Sequence, residues 1–403
     1  MCLIVRVKKI FSLAALGGFF AANLASPQTW TQTSAPITNW SSVASSADGI
    51  ILVAAVGNPA SYTGGIFIST NFGDNWFQAD LPGNNFCWGV ASSADGSKLA
   101  VTFDNGGNYC STNFGTTWIS NSTNFAPAFV GLAHNIVSSS DGTKLAVVGG
   151  SIFTSTNGGT SWLTPNLAAT RLASVASSAD GNKLAAVALG GSAVFLSTNA
   201  GATWITSNVP HGAFQDISMS ADGSHLIAAG SEQIGGYIYI SSDSGMTWTS
   251  NNATGNDWSA VASSADGTHL AAAANASISV STNGGAVWAT TNIASLTGPG
   301  YIHSLAFSAD GAQLVAVVSG SYQPGGIYIL QTIRPPKLNL TPTNGNLSLS
   351  WLIPSTNFVL QQSADLSSWT DLANQPVLNL TNLQNQVTLP SPASNVFYRL
   401  KTP

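Results

Sequence analysis

The stretch Ser69-Thr-Asn-Phe-Gly-Asp-Asn-Trp76 decides the fold because it recurs. It returns as Ser111–Trp118 (STNFGTTW), Ser155–Trp162 (STNGGTSW), Ser197–Trp204 (STNAGATW), Ser241–Trp248 (SSDSGMTW) and Ser281–Trp288 (STNGGAVW). A second signal alternates with it, the turn S-A-D-G or S-S-D-G, whose aspartates are Asp48, Asp95, Asp141, Asp180, Asp222, Asp266 and Asp310. Their spacings are 47, 46, 39, 42, 44 and 44 residues. A self-similar period in the forties predicts propeller blades, solenoid units or an array.

The interior of the unit chooses between these. Each unit holds an apolar run, the Asp-Gly turn, a second run, a Gly-Gly or Asn-Gly break, a third run, and the octapeptide leading into a fourth run. Short β-rich runs separated by Gly, Asn and Asp read as antiparallel hairpins. No window repeats apolar residues at helical spacing. Four strands in each of seven units predict an all-β, seven-bladed propeller. The last unit lacks a tryptophan-bearing fourth strand, and Gln28-Thr-Trp30-Thr resembles the start of one, so the N-terminal strand is expected to close the ring and remove its open edge.

The octapeptide reads as structural. Its third residue (Asn71, Asn113, Asn157, Asn199, Asp243, Asn283) can bond its side-chain oxygen to backbone amides two residues on. Its fifth, always glycine, tolerates positive φ. Its tryptophan can clamp the loop onto the blade. The repeated S-T-N-x-G-x-T-W resembles the Asp-box of the BNR-repeat proteins, a superfamily holding sialidases, xyloglucanases, sortilin-type receptors and photosystem assembly factors. The resemblance spans roughly residues 30–330 and implies a propeller whose boxes lie away from any active site. It says little about function.

Residues 1–26 read as a secretory signal: Arg6, Lys8 and Lys9 precede the apolar Ile10–Ala22, and Ala25-Ser26 offers a cleavage point. The mature chain is expected to be secreted, extracellular, at the cell surface or periplasmic, with no membrane span and as a monomer. The propeller occupies 27–333 and a Pro-rich linker 334–336. Residues 337–403 lose the blade turns and alternate as a small β-sandwich-like domain. Its S-A-D-L-S-S-W-T (363–370) and F-Y-R-L (397–400) resemble a C-terminal module of exported bacterial proteins, notably of Verrucomicrobia and relatives. Three cysteines make no disulfide framework. Cys87 and Cys110 should be separated by an intervening strand and stay free. Only 7% of residues are charged and the net charge is −5, which leaves no electrostatic footprint for nucleic acid.

In a propeller the first strands line the axis, and the loops leading into them form one mouth. Aligning units on the turn aspartate brings Trp40, Trp88, His134, Arg171, Phe214, Trp258 and His303 to that mouth, with Gln215 and Tyr301 beside them. Aromatic faces and a few polar groups suit a glycan, a peptide or a surface protein; the alternative is a packed plug. A sialidase needs three arginines on its substrate's carboxylate, whereas the propeller holds Arg171 and, at its end, Arg334. A degenerate, xyloglucanase-like inverting hydrolase would need two carboxylates, for which Asp216 and Asp257 are the candidates. His225 and His269 take the slot filled elsewhere by Lys98, Lys144 and Lys183 and read as exposed hairpin residues. No ligand set for a metal, phosphate loop or dinucleotide fingerprint is present, so neither cofactor nor metal is expected. The best reading is a non-catalytic binding or scaffold module.

Overall fold

The computed structural model describes residues 5–7, 30–58, 63–81, 86–103, 107–120, 135–165, 167, 171–189, 191, 193–209, 213–231, 236–251, 257–293, 300–320, 325–331, 338–343, 345–352, 359–364, 370–372, 376–379, 384–390, 392 and 396–401. The chain divides into two compact units, Gln28–Gln331 and Met1–Pro27 with Thr332–Pro403.

The larger unit holds seven antiparallel sheets among the described residues. Blade 1 is typical: Trp40–Ser45, Leu52–Asn58, Thr63–Ser69 and Phe77–Gln78 pair in sequence order. The first strands of successive blades touch around the whole circle, the seventh meeting the first. Second strands such as Leu99–Phe103 are buried along their whole length. Each is covered on both faces, and its alternating side chains divide between two seams. Val53 and Ala55 pack toward blade 2, while Leu52, Ala54 and Val56 pack toward blade 7.

Two devices close the ring. Trp30–Gln32 forms the outer strand of blade 7, with Trp30 opposite Leu330 and Gln32 opposite Tyr328. The residues before the turn aspartates also form a cycle of backbone bonds. Ala47 N–H donates to Ala94 O (2.8 Å), Ala94 to Ser140 (2.8 Å), Ser140 to Ala179 (2.7 Å), and Ala179 to Ala221 (2.7 Å). Ala221 then donates to Ala265 (2.8 Å), Ala265 to Ala309 (2.9 Å), and Ala309 back to Ala47 (2.8 Å). A cycle of seven such bonds returns to its start only if seven blades complete one turn.

The octapeptide folds as a hairpin loop, with one correction to its expected wiring. The third-position oxygen accepts from the amide four residues on, not two: Asn75 N to Asn71 Oδ1 and Thr203 N to Asn199 Oδ1 are both 2.9 Å. The same bond recurs at Asn113, Asn157, Asp243 and Asn283. The first-position serine is the hub. Ser197 Oγ donates to Asn199 Oδ1 (3.0 Å) and accepts from Gly201 N (2.9 Å). The tryptophan indole donates back to the glycine carbonyl, Trp204 to Gly201 at 2.9 Å. Gly201 has φ 86°, and a Cβ there would sit 2.6 Å from Thr154 Cγ2 of the preceding blade. The loop therefore also clamps neighbouring blades together.

His225 and His269 are not exposed hairpin residues. The first is half-buried and the second buried. They lie over Gly267 and Gly311 of the next blade's turn, as Lys98 lies over Gly142. Cys87 and Cys110 are not joined in a disulfide, and Leu99–Phe103 lies between their strands. Burial pushes the Cys87 thiol far up.

Among the described residues the smaller unit holds two four-stranded sheets. Leu347, Leu349, Trp351, Val387 and Leu389 from one share a core with Leu360 and Tyr398 from the other, a β-sandwich arrangement. Val5–Val7 lies antiparallel along Val396–Tyr398. The expected leader's apolar segment, Ile10–Ala22, lies outside the described residues.

Candidate functional site

The Asp-Gly turns and the octapeptide loops share one face of the ring. Backbone bonds such as Phe72 N to Ile50 O (3.0 Å) and Ala200 N to Asn182 O (2.8 Å) tie the two within a blade. Antiparallel order then puts the starts of the first strands on the opposite face, the mouth.

Among the described residues a β-bulge interrupts the first strand at that face in six blades, skipping Ser41, Trp88, Ala173, Gln215, Ser259 and His303 in the register. A bulge re-aims side chains, and this one decides which expected site residues reach the surface. Trp40 (1% exposed), Phe214 (0%) and Trp258 (1%) precede the bulge and point into the seams between blades. They are inter-blade core and not mouth residues, a correction to the sequence expectation. Trp40 packs edge-on to Phe67 at 5.4 Å. Trp88, on the bulge, is half-buried and packs on Phe86, with ring centres 4.3 Å apart. Gln215 and His303 are exposed bulge residues, and Tyr301 is 48% exposed two residues earlier. His303 is exposed by area yet crowded enough that desolvation lowers its pKa. Arg171 and Asp257 are exposed residues immediately before first strands, and both hold left-handed backbone, φ 63° and 60°. His134 lies outside the described residues.

The candidate carboxylate pair does not form as two free acids. Asp216 turns into the seams, where Oδ1 accepts from Ser174 Oγ (2.6 Å) and Ile217 N (2.9 Å), and Oδ2 from Val261 N (2.8 Å) of blade 6. Asn135 Nδ2 donates to Ser174 Oγ (2.9 Å), so one chain of bonds links blades 3 to 6 along the inner wall. Asp216 keeps some accessible area, but protein surrounds its carboxyl. Desolvation outweighs the three bonds and raises its pKa to about 6. Sequence reasoning missed this bridging role. The signal was available: the aligned slot holds Ser42, Ser174 and Ser304, and the first and last also accept an amide from the next blade, Val90 N and Val43 N, both at 3.3 Å.

Among the described residues no group of three or more His, Cys, Asp or Glu side chains could hold a metal ion. No described helix is long and apolar enough to cross a membrane.

No family model matches the sequence, and no curated protein matches it. Solved structures do share its fold. A structure described as YCF48 bound to D1 peptide superposes with a TM-score of 0.58 at 13% identity, covering 78% of this chain and 99% of that one. YCF48 from Cyanidioschyzon merolae superposes with a TM-score of 0.58 at 15% identity, covering 75% of this chain and 98% of the other. The chain is thus similar to YCF48 as a β-propeller.

Proposed function

We propose that the protein is an exported, non-catalytic binding module whose mouth face takes a peptide segment of a protein partner. The observation that carries this reading is the division of labour between the two faces. On the turn face, serine, aspartate and asparagine side chains are consumed by bonds within the loops. On the mouth face, bulges present Gln215 and His303 outward, with Tyr301, Arg171 and Asp257 at neighbouring strand starts. Exposed aromatic and polar groups on a rigid ring suit a ligand that needs orientation without chemistry. The fold likeness supports a peptide over a glycan, since one similar propeller is described as bound to a peptide. The engagement of Asp216 by three donors speaks against a hydrolytic carboxylate pair. We read the repeated octapeptide as an Asp-box, and the C-terminal sandwich as similar to the modules of exported bacterial proteins.

The test is a peptide-array screen on the full mature chain, followed by calorimetry with the best peptide. Arg171→Ala combined with His303→Ala should weaken binding at least about tenfold, the scale of one lost hot-spot contact. Thr117→Ala, on the turn face, should leave it unchanged. Binding that survives the double variant and fails with the turn-face change would refute the assignment, and a glycan-array hit without a peptide hit would move the ligand class. Cell fractionation with N-terminal sequencing tests export, expecting a mature chain that starts near residue 27.

A further inference from the structure

The turn face carries seven Asp-Gly dipeptides, and among aspartyl pairs this is the one most prone to spontaneous rearrangement in an unfolded chain, because glycine leaves the attacking nitrogen unhindered. In that reaction the glycine nitrogen attacks the aspartate Cγ. The N–Cγ bond forms, a Cγ–O bond breaks, and the oxygen leaves as water with one proton from the amide and one from the carboxyl. The resulting succinimide takes water back, and opening at the backbone carbonyl leaves the chain running through the side chain as isoaspartate. There is no net change in mass.

We propose that the seven Asp-Gly turns are latent isoaspartate sites, silenced in the closed ring by a repeated hydrogen-bond lock and released where a blade opens. Three features of the lock block the attack. The glycine N–H is occupied: Gly49, Gly96, Gly142, Gly181, Gly223, Gly267 and Gly311 each donate to the carbonyl three residues earlier at 2.9–3.0 Å. The carboxyl is tied down by two donors and is not free to swing onto that nitrogen. In blade 3, Ser139 Oγ donates to Asp141 Oδ1 at 2.6 Å and Thr143 N donates to it at 3.0 Å, and the same pair of bonds recurs in the other six turns. The turn is also held from its neighbours, because the residue before each aspartate belongs to the backbone cycle that closes the ring. The same bonds, with that from the serine two residues earlier the largest cause, hold Asp95, Asp141, Asp180 and Asp222 below the ordinary carboxylate range. Loss of water from the carboxyl needs its protonated form, so ionisation works in the same direction.

Two box loops carry the related Asn-Gly pair and use the same device. Gly158 N is held by Thr143 O (2.7 Å) and Gly284 N by Thr268 O (2.8 Å), while Asn157 and Asn283 point their oxygens at Ser161 N and Val287 N.

The experiment is ageing of the full chain near neutral pH, folded and in urea, with isoaspartate located by chymotryptic mapping and fragmentation. Folded protein should accumulate isoaspartate at the seven turns at least about tenfold more slowly than unfolded protein, because reaction must wait for local opening. Ser139→Ala should raise the rate at Asp141-Gly142 in the folded protein and leave Asp222-Gly223 slow. Equal rates in folded and unfolded protein would overturn the proposal. So would a folded Ser139→Ala variant, its fold checked by circular dichroism, that ages at Asp141 like the parent.

Discussion

Ser197 shows how one hydroxyl can decide a loop. It is buried, it accepts from Gly201 N, and it donates to Asn199 Oδ1. Its loss leaves a buried amide unpaired, so Ser197→Ala should cost about 1–3 kcal/mol in urea unfolding. The fourth position of the same loop behaves oppositely. Ala200 holds φ 56°, where an L-residue is strained, while the boxes at Gly158 and Gly284 use glycine in that slot. Ala200→Gly should gain about 0.5 kcal/mol, relief of strain being partly offset by the freer unfolded chain. Gly201→Ala should lose about 2 kcal/mol or more, since the new methyl meets Thr154. Asp216 and Asp141 titrate with opposite effect. The folded pKa of Asp216, about 6, lies above its unfolded value of about 3.9, so the folded state holds a proton that the unfolded state has released. Relative to Asp216→Asn, the parent should lose about 2 kcal/mol of stability as pH rises from about 4 to about 6. Asp141 is held down to about 2, so the parent should lose stability relative to Asp141→Asn as pH falls from about 4 to about 2. That loss should stay under about 1 kcal/mol because the carboxyl is solvent-screened. Urea titrations across pH check both slopes.

At the scale of the strand, the sequence carried order and pairing well and side-chain direction poorly. Blade order, the strand separating the cysteines and the closing strand were all legible, because turn chemistry and the two-residue period encode them locally. The mouth was not. A register shift separates Trp40 from Ser42, Phe214 from Asp216 and Trp258 from Ala260, and alignment on the turn aspartate does not reveal which of the aligned residues it turns into the seams. No residue type marks that bulge: the skipped positions hold Ser, Trp, Ala, Gln and His. The wiring of the octapeptide was half-legible for a different reason. The asparagine's role as acceptor follows from its type, but its reach to the fourth residue depends on two successive positive-φ residues, at Ala200 and Gly201 for example. The seam role of Trp258 gives a further prediction. Trp258→Ala should cost about 3–5 kcal/mol in thermal or urea unfolding, as a buried cavity would, while Gln215→Ala on the adjacent bulge should be nearly neutral for stability.

For the whole molecule the central claim is closure. Seven sheets that each bury both faces need neighbours on both sides, and the ring supplies them only when its last seam is shut. Trp30–Gln32 shuts that seam at the rim, and the cycle of turn amides shuts it on the far face. Both must hold for the mouth to keep its shape, because the chain of bonds from Asn135 through Ser174 and Asp216 to Val261 spans four of the seven blades. Native-state hydrogen exchange on the full mature chain and on one lacking residues 27–36 tests this most directly. The account predicts that the amides of Ala47, Ala94, Ser140, Ala179, Ala221, Ala265 and Ala309 exchange slowly as a set in the full chain, and that all seven lose protection when the closing strand is removed. Fast exchange at Ala309 and Ala47 in the full chain, or unchanged protection after the deletion, would contradict it.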